Sequence, residues 1–556
     1  MVQYKSPHRE YEFILREVLE IERVLGKYPE YDEASWDMIE MICEQFGKIN
    51  EEYWLKSAKD GDEIGATFKD GNVTVPESMK EATKMVIDSG LTQLFGHQKY
   101  GGMEFPNVIS VLSDEMSCAT NMSLGIYMGL TKGAYHCINN HGSEKIKNTY
   151  LPKFLTGEWF GTMCLTEAHC GTDLGLIRTS AKPENDSYSI NGQKIFISCG
   201  EHDMADNIIH LVLARLPTSP KGVKGISLFL VPKYHVNDNG TLGDRNGVNC
   251  VSIEEKMGVH GSPTCVMSFE NATGYLIGEI NEGLAAMFSM MNTERIAVGL
   301  QGLGQAEIAY QNGLAYAKNR IQGRDLKEPR NPEEEADPLI VHPDVRRMLM
   351  RAKTLIDSSR MLACWTALAI DKSEKDPNAK VRKEAGDLVE LMTPIIKALL
   401  TDYGVEITSD MLQIYGGHGY IKEYGMEQFC RDVRIAPIWE GTNGIQALDL
   451  AGRKMPQHMG RLLRRFFHPA LDFIEEYKED ENMKEFVVPF SKALRGLQKT
   501  TLYMAQKGLA NPYEIGAAAT DYLRQFGLVA MAYMWLLMLK VAFAKREKSE
   551  YYEHKI

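Results

Sequence analysis

The stretch IWEGTNGIQALDL, residues 438–450, sets a single acid, Glu440, between the apolar run Ile435-Ala436-Pro437-Ile438-Trp439 and a Gly-Thr-Asn-Gly turn. A carboxylate at the edge of a core loses hydration, which disfavours its charged form and makes it a stronger base. Proton abstraction in a dry site is the chemistry that such a group suits. The competing reading is an acid near a helix N-terminus, because an apolar helical pattern (Ile445, Leu448, Leu450) follows it.

Other chemistries lack their residue patterns. The 10 cysteines include no Cys-x-x-Cys pair, and the 14 histidines include no His-Glu-x-x-His spacing, so no metal centre is expected. GLQGLGQAE is glycine-rich but does not complete the dinucleotide fingerprint, and it lies inside a helical pattern. Close helix packing explains it better than NAD. Met290 and Met291 read as core filler.

Three kinds of element must position Glu440. Up to about residue 160 apolar residues recur at three- and four-residue spacing, as in REYEFILREVLEIERVL, which predicts helices. Between about 161 and 275 the stretches YSINGQKIFIS, NIIHLVLARL and KGISLFLVPKY are short and β-branched, predicting a small antiparallel sheet domain. From Gly283 the helical period returns, interrupted by QGRDLKEPRNPEEEADP, which reads as a long surface loop. About 100 further residues follow GRKMPQ with three or four more helical patterns around the charged EEYKEDENMKE. The expected divisions are therefore 1–160, 161–275, 276–455 and 456–556.

The totals narrow the setting. A chain of 556 residues should form roughly three or four domains. Its net charge of −13 argues against binding nucleic acid. The dispersed cysteines and the lack of an apolar signal core in MVQYKSPHRE predict a cytoplasmic protein. FGLVAMAYMWLLML, residues 526–539, is shorter than the ~18 residues that a spanning helix needs. A buried bundle helix is expected there, with no stable membrane insertion.

Four stretches then combine: MCLTEAHCGTDLG (163–175), NGQKIFIS (191–198), YGGHGY (415–420) and RDVRIAPIWEGTNGIQ (431–446). In this order and with these gaps they resemble the acyl-CoA dehydrogenase family of flavoproteins. KMGVHGSPT and ERIAVGLQGLGQAEIAYQNGLAYAKNR add to the match, which covers most of residues 80–455. The C-terminal extension resembles the longer members. The resemblance implies a mainly α fold with a central β domain: an N-terminal helical domain, a β-barrel-like middle domain, a C-terminal four-helix bundle and an extra helical domain. It also implies FAD, an acyl-CoA substrate, electron-transferring flavoprotein as partner, and a homodimer or homotetramer.

Residue roles follow from the same resemblance. Glu440 falls on the family's catalytic base. Glu294 matches an alternative base position used by some branched- and long-chain members, and this chain has acids at both places. Glu440 is the expected base and Glu294 a charge partner or salt-bridged acid. Arg295 resembles the arginine beside the catalytic acid. For FAD the resemblance implies Met163, Leu165 and Thr166 along the flavin ring, Gly171 and Thr172 near the pyrophosphate, and Phe196 and Ser198 at positions usually filled by Trp and Thr. Arg320 matches an arginine serving the neighbouring subunit's FAD, with Gln413, Gly416, Gly417, Thr442 and Gly444 completing the cofactor set. Thr172, Asn292, Arg295, Trp439 and Gly441 are the implied substrate contacts. Trp439 stands in place of the usual Tyr, and Asn292 where an Asp often contacts CoA.

Two related activities compete with the dehydrogenase. An acyl-CoA oxidase shares the length and a GGHGY-like turn, and would use dioxygen. A non-enzymatic relative would bind DNA through a basic C-terminal domain, but here only Arg461, Arg464 and Arg465 cluster.

Overall fold

The computed structural model describes residues 2–237 and 239–556, apart from the side chains of Ser289, Asn292 and Thr293. The Asn292 expectation therefore lies outside the described residues. Two compact units arise, Gln45–Phe105 with Met116–Glu294, and Met1–Glu44 with Pro106–Glu115 and Arg295–Ile556. Each is described by itself.

In the first unit the β-branched stretches become strands. A seven-stranded sheet is built from β1 (Trp159–Cys164), β2 (Ser180–Glu184), β3 (Ser187–Ser198), β4 (Asn207–Ala214), β5 (Ser227–Pro232), β6 (Val248–Ile253) and β7 (Thr264–Ile277). The order is β1-β4-β5-β7-β3-β2, with β6 on β7. All pairs are antiparallel except β1–β4, which corrects the expectation of a purely antiparallel sheet. The two edges approach closure, because the Ala181 N–H donates to Arg215 O at 2.8 Å just beyond β4. β4 is buried along its whole length, as the unbroken run NIIHLVLA requires. Helix α1 (Met122–His141) packs on β1, where a Cβ on Gly161 would lie 2.4 Å from Ala134 Cβ. A hairpin, Thr67–Lys69 with Asn72–Thr74, also lies in the region expected to be helical. Its one sequence signal is the Asp-Gly turn at 70–71, both residues at positive φ.

In the second unit long helices carry the apolar stripes: α2 (Gly283–Asn319, from Arg295 onward), α3 (Pro343–Lys375) and α4 (Ala379–Ile414). The glycines of GLQGLGQAE let α2 approach α4 backbone to backbone. A Cβ on Gly302 would lie 2.3 Å from Leu400 O, and one on Gly299 2.8 Å from Ile396 Cγ2. Helix packing is thus what those glycines serve. The short helix α5 (Asn443–Leu448) begins just after Glu440.

Beyond residue 460 the chain forms α6 (Arg461–Tyr477), α7 (Lys484–Ala510), α8 (Pro512–Lys545) and α9 (Glu550–Lys555). α8 is long and apolar enough to cross a membrane by length and composition, yet 61% of its most apolar window is buried against protein. Phe466, Phe526 and Tyr533 form an aromatic cluster there. Two of the three arginines clustered near residue 461 are paired: Arg461 makes two 2.9 Å bonds to Asp387, and Arg465 reaches Glu384 at 2.9 Å. The long surface loop folds around the buried Asp337, whose carboxylate accepts from the backbone N–H groups of Asp325, Arg330 and Asn331.

A buried ionic cluster joins distant parts of this unit. Arg360, fully enclosed, holds Glu115 at 2.5 Å and Glu307 at 2.7 Å. Asp357, one helical turn away, accepts from Lys353 at 2.8 Å and from Lys555 of α9 at 2.7 Å. Lys555 also reaches Glu10 at 2.5 Å. Each charge faces at least one of opposite sign, as burial demands.

Candidate active site

Glu440 sits half-buried in the turn before α5, with its backbone at φ +53° and Gly441 at φ +84°. A non-glycine residue in the left-handed region costs about 1–3 kcal/mol and persists only where its surroundings hold it. Here they do. Gln446 Nε2 donates to Glu440 O at 3.1 Å and Gly441 O at 3.3 Å, and the Asn443 N–H donates to Pro437 O at 3.0 Å. A Cβ on Gly441 would lie 2.8 Å from Gln446 Nε2, so glycine is required at that position.

Burial raises the Glu440 carboxyl above the usual carboxylate range, while Arg295 and Lys397 pull it down. Arg295, on α2, is nearly enclosed and lies 3.7 Å from Asp449, which Arg453 also holds at 2.7 Å. Arg295 is thus ion-paired with Asp449, and its charge acts on Glu440. Trp439 is half-buried, and its Nε1 is enclosed with no partner among the described residues. Thr442, at the start of α5, and Gly444 are exposed.

The other expected cofactor residues of this unit lie on one patch. Tyr316 stacks on Tyr415 with centroids 3.9 Å apart, and its hydroxyl bonds His418 Nδ1 at 2.8 Å. That ties the end of α2, where Arg320 is exposed, to the turn holding Gly416 and Gly417, which follows Gln413 at the end of α4.

In the sheet unit, Met163 is on β1, and Leu165 and Thr166 follow it. The Ile195 N–H donates to Thr166 O at 2.9 Å, which joins that segment to β3. Phe196 is 60% exposed at φ +57°, with Ser198 half-buried two residues on. Gly171 packs on Thr166, and Thr172 is exposed. Glu294 belongs to this unit. A Cβ on Gly133 would lie 2.5 Å from its Oε1 and one on Gly129 3.7 Å from its Oε2, so it faces the glycine stripe of α1.

Sequence reasoning missed the supports of both groups. Lys194, fully buried, donates to Glu167 at 2.9 Å and to Leu165 O at 2.9 Å, and Glu167 also accepts from Thr179 Oγ1 at 2.6 Å. Both residues stood inside the quoted motifs. Lys397 and Asn443 are the others. The signal for Lys397 was a lone lysine in the apolar run Ile-Ile-Lys-Ala-Leu-Leu, residues 395–400. Glu167, His169 and Cys170 offer ligand atoms within 4.8 Å of one another, but Glu167 is already taken up by Lys194 and Thr179.

Four family profiles match in succession: the acyl-CoA dehydrogenase N-terminal domain over 63–158, the middle domain over 162–272, the C-terminal domain over 281–455, and the "Acetyl-CoA dehydrogenase C-terminal like" domain over 466–556. The chain belongs to the acyl-CoA dehydrogenase family. It is 43% identical over 464 residues to the 3-methylmercaptopropionyl-CoA dehydrogenase of Ruegeria pomeroyi, covering 83% of this chain and 78% of that one. It is 31% identical over 563 residues to a broad-specificity linear acyl-CoA dehydrogenase of Mycobacterium tuberculosis, covering 98% and 91%. An FAD-complexed acyl-CoA dehydrogenase from Bacillus anthracis shares the fold, with a TM-score of 0.75 at 21% identity, covering 94% of this chain and 85% of that one.

This acyl-CoA dehydrogenase is an oxidoreductase, and FAD is its cofactor. The residues present fit that group. A Cβ at Gly416, Gly417 or Gly444 would meet nothing within 4 Å, which leaves the backbone open to phosphates. Phe196 offers an outward aromatic face, and Trp439 Nε1 an unspent donor. Of the groups expected to contact FAD, Thr166, Thr172, Phe196 and Ser198 of the sheet unit are exposed or half-buried, and so, within the helical unit, are Arg320, Gln413 and Thr442.

Proposed function

We propose that this chain converts an acyl-CoA thioester to the 2-enoyl-CoA, with Glu440 as the base that takes the α-proton. The observation that carries this is the Glu440 carboxylate itself. It is desolvated, raised in basicity and fixed in a left-handed turn, with the cation of Arg295 close enough to oppose that rise. An α-proton of a thioester is weakly acidic, so an oriented base in a dry site is what its removal needs. Glu440 accepts the proton on a carboxylate oxygen, and Arg295 stabilises the ionised form before transfer. Trp439 adds bulk beside the base and excludes water. Hydride acceptance from the β-carbon is the chemistry that FAD supplies when bound, because no side chain accepts a hydride.

Electron-transferring flavoprotein is the proposed acceptor, and a homodimer or homotetramer the proposed assembly, with the exposed Arg320 serving a neighbour's cofactor. The substrate class follows the named relatives: short thioether or linear acyl chains. The test is anaerobic flavin bleaching across 3-methylmercaptopropionyl-CoA and linear acyl-CoAs of increasing length. Bleaching by at least one thioester, with electrons passing to the flavoprotein and no stoichiometric peroxide in air, is expected. Stoichiometric peroxide would make the enzyme an oxidase instead.

A further inference from the structure

We propose that Lys397 is a positioning residue for this reaction: through Asn443 it locks the turn that carries Glu440, and its ammonium sets the charge beside that carboxylate. The inference rests on Glu440 being the base.

Lys397 is fully buried on α4. Among the described residues its hydrogen-bond acceptor is Asn443 Oδ1, at 2.8 Å. That acceptor is a neutral amide. A lysine placed only for stability would be expected to meet a carboxylate, as Lys194 meets Glu167, or to extend its head into water.

Asn443 is consumed in return. Its Nδ2 donates to Ala398 O at 3.1 Å, Thr401 Oγ1 at 3.0 Å and Asp402 Oδ1 at 2.7 Å. With its backbone N–H on Pro437 O, Asn443 fastens the turn to α4 on one side of Glu440 and to the preceding chain on the other. The side chain at 397 thus anchors the residue three positions after the base.

The charge contribution follows from the neighbours. The groups that act on Lys397 are Glu440 in the turn, Asp402 on its own helix and Arg295 on α2. Burial brings Lys397 down to about 7, with Glu440 and Asp402 opposing and Arg295 assisting. Near neutrality Lys397 therefore changes between cation and amine. The cation lowers the Glu440 carboxyl and the amine does not.

The experiment uses the FAD-loaded enzyme and the best thioester from the panel. Single-turnover flavin reduction is followed from pH 6 to 9 for wild type, Lys397→Met, Asn443→Asp and Glu440→Gln. Lys397→Met should bind thioester with unchanged affinity, reduce flavin about 10- to 100-fold more slowly, and move the rising limb of the rate profile to higher pH. Asn443→Asp gives the ammonium a carboxylate partner and should move the Lys397 ionisation upward. A folded Lys397→Met enzyme with wild-type rate and profile overturns the proposal. If that variant does not hold FAD, an unchanged profile in Asn443→Asp overturns it, and a shifted one supports it. Glu440→Gln separates the premise: if it still reduces flavin at the wild-type rate, the base assignment itself has failed.

Discussion

Gly302 and Gly404 meet with no side chain between them: a Cβ on Gly404 would lie 2.7 Å from Gly302 Cα. This contact sets the distance between α2 and α4, and so the separation of Arg295 from Lys397. Gly302→Ala should push the helices apart and cost about 1–3 kcal/mol, as overpacking does. A lowered Tm together with slower flavin reduction is expected; an unchanged Tm would show that the contact is slack.

The two acids are separable by substitution. Glu440→Gln keeps shape but removes the basic lone pair, so flavin reduction should fall ~10²-fold or more while FAD and thioester still bind. Glu294→Gln should alter binding or the pH profile only moderately, since Glu294 faces the glycines of α1. Should Glu294→Gln abolish reduction and Glu440→Gln barely slow it, the base is Glu294.

Arg360 is enclosed with Glu115 and Glu307 against it, and Asp357 lies 3.5 Å away. Arg360→Met leaves those carboxylates without their shared cation and should destabilise the chain by about 3–5 kcal/mol. Adding Glu115→Gln should recover part of that loss. Denaturant unfolding of the single and double variants measures both, and strict additivity would contradict the coupling.

Two buried histidines, His202 and His210, and the half-buried His136 should make the sheet unit acid-sensitive. Burial lowers His136 to about 4 and His202 and His210 to about 3. The unfolded chain binds protons near pH 6.5, where the folded chain does not, so this stability is complete above 6.5 and lost as pH falls toward 3–4. Each histidine contributes on the order of 3–5 kcal/mol to that slope. Hydrogen exchange from pH 7 to 4 should show residues 116–294 losing protection, and His202→Phe should flatten the dependence. Equal slopes for both proteins would exclude His202 as a source.

Periodicity made much of this legible. The strands at 187–198, 207–214 and 227–232 are close to the short β-branched stretches, and the long helices follow the 3.6 pattern. Glu440 stood out because one acid interrupts an apolar run. What could not be read was pairing across the chain. The parallel β1–β4 contact leaves no local trace, and Asn443 looks like an ordinary turn residue until α4 is folded beside it. Lys194 and Lys397 were hidden for the same reason: a buried lysine is recognised by its partners, and those lie 27 and 46 residues away.

The Lys555–Asp357 bond has a consequence in time. During synthesis Asp357 emerges 198 residues before its partner. At about 5–20 residues per second that is an interval of roughly 10–40 s. Until Lys555 arrives, the acids Glu10 and Asp357 are short of one cation, and the helices around them can close only by exposing or protonating a carboxylate. The bundle that carries Glu440 should therefore finish assembling only after Lys555 has left the ribosome.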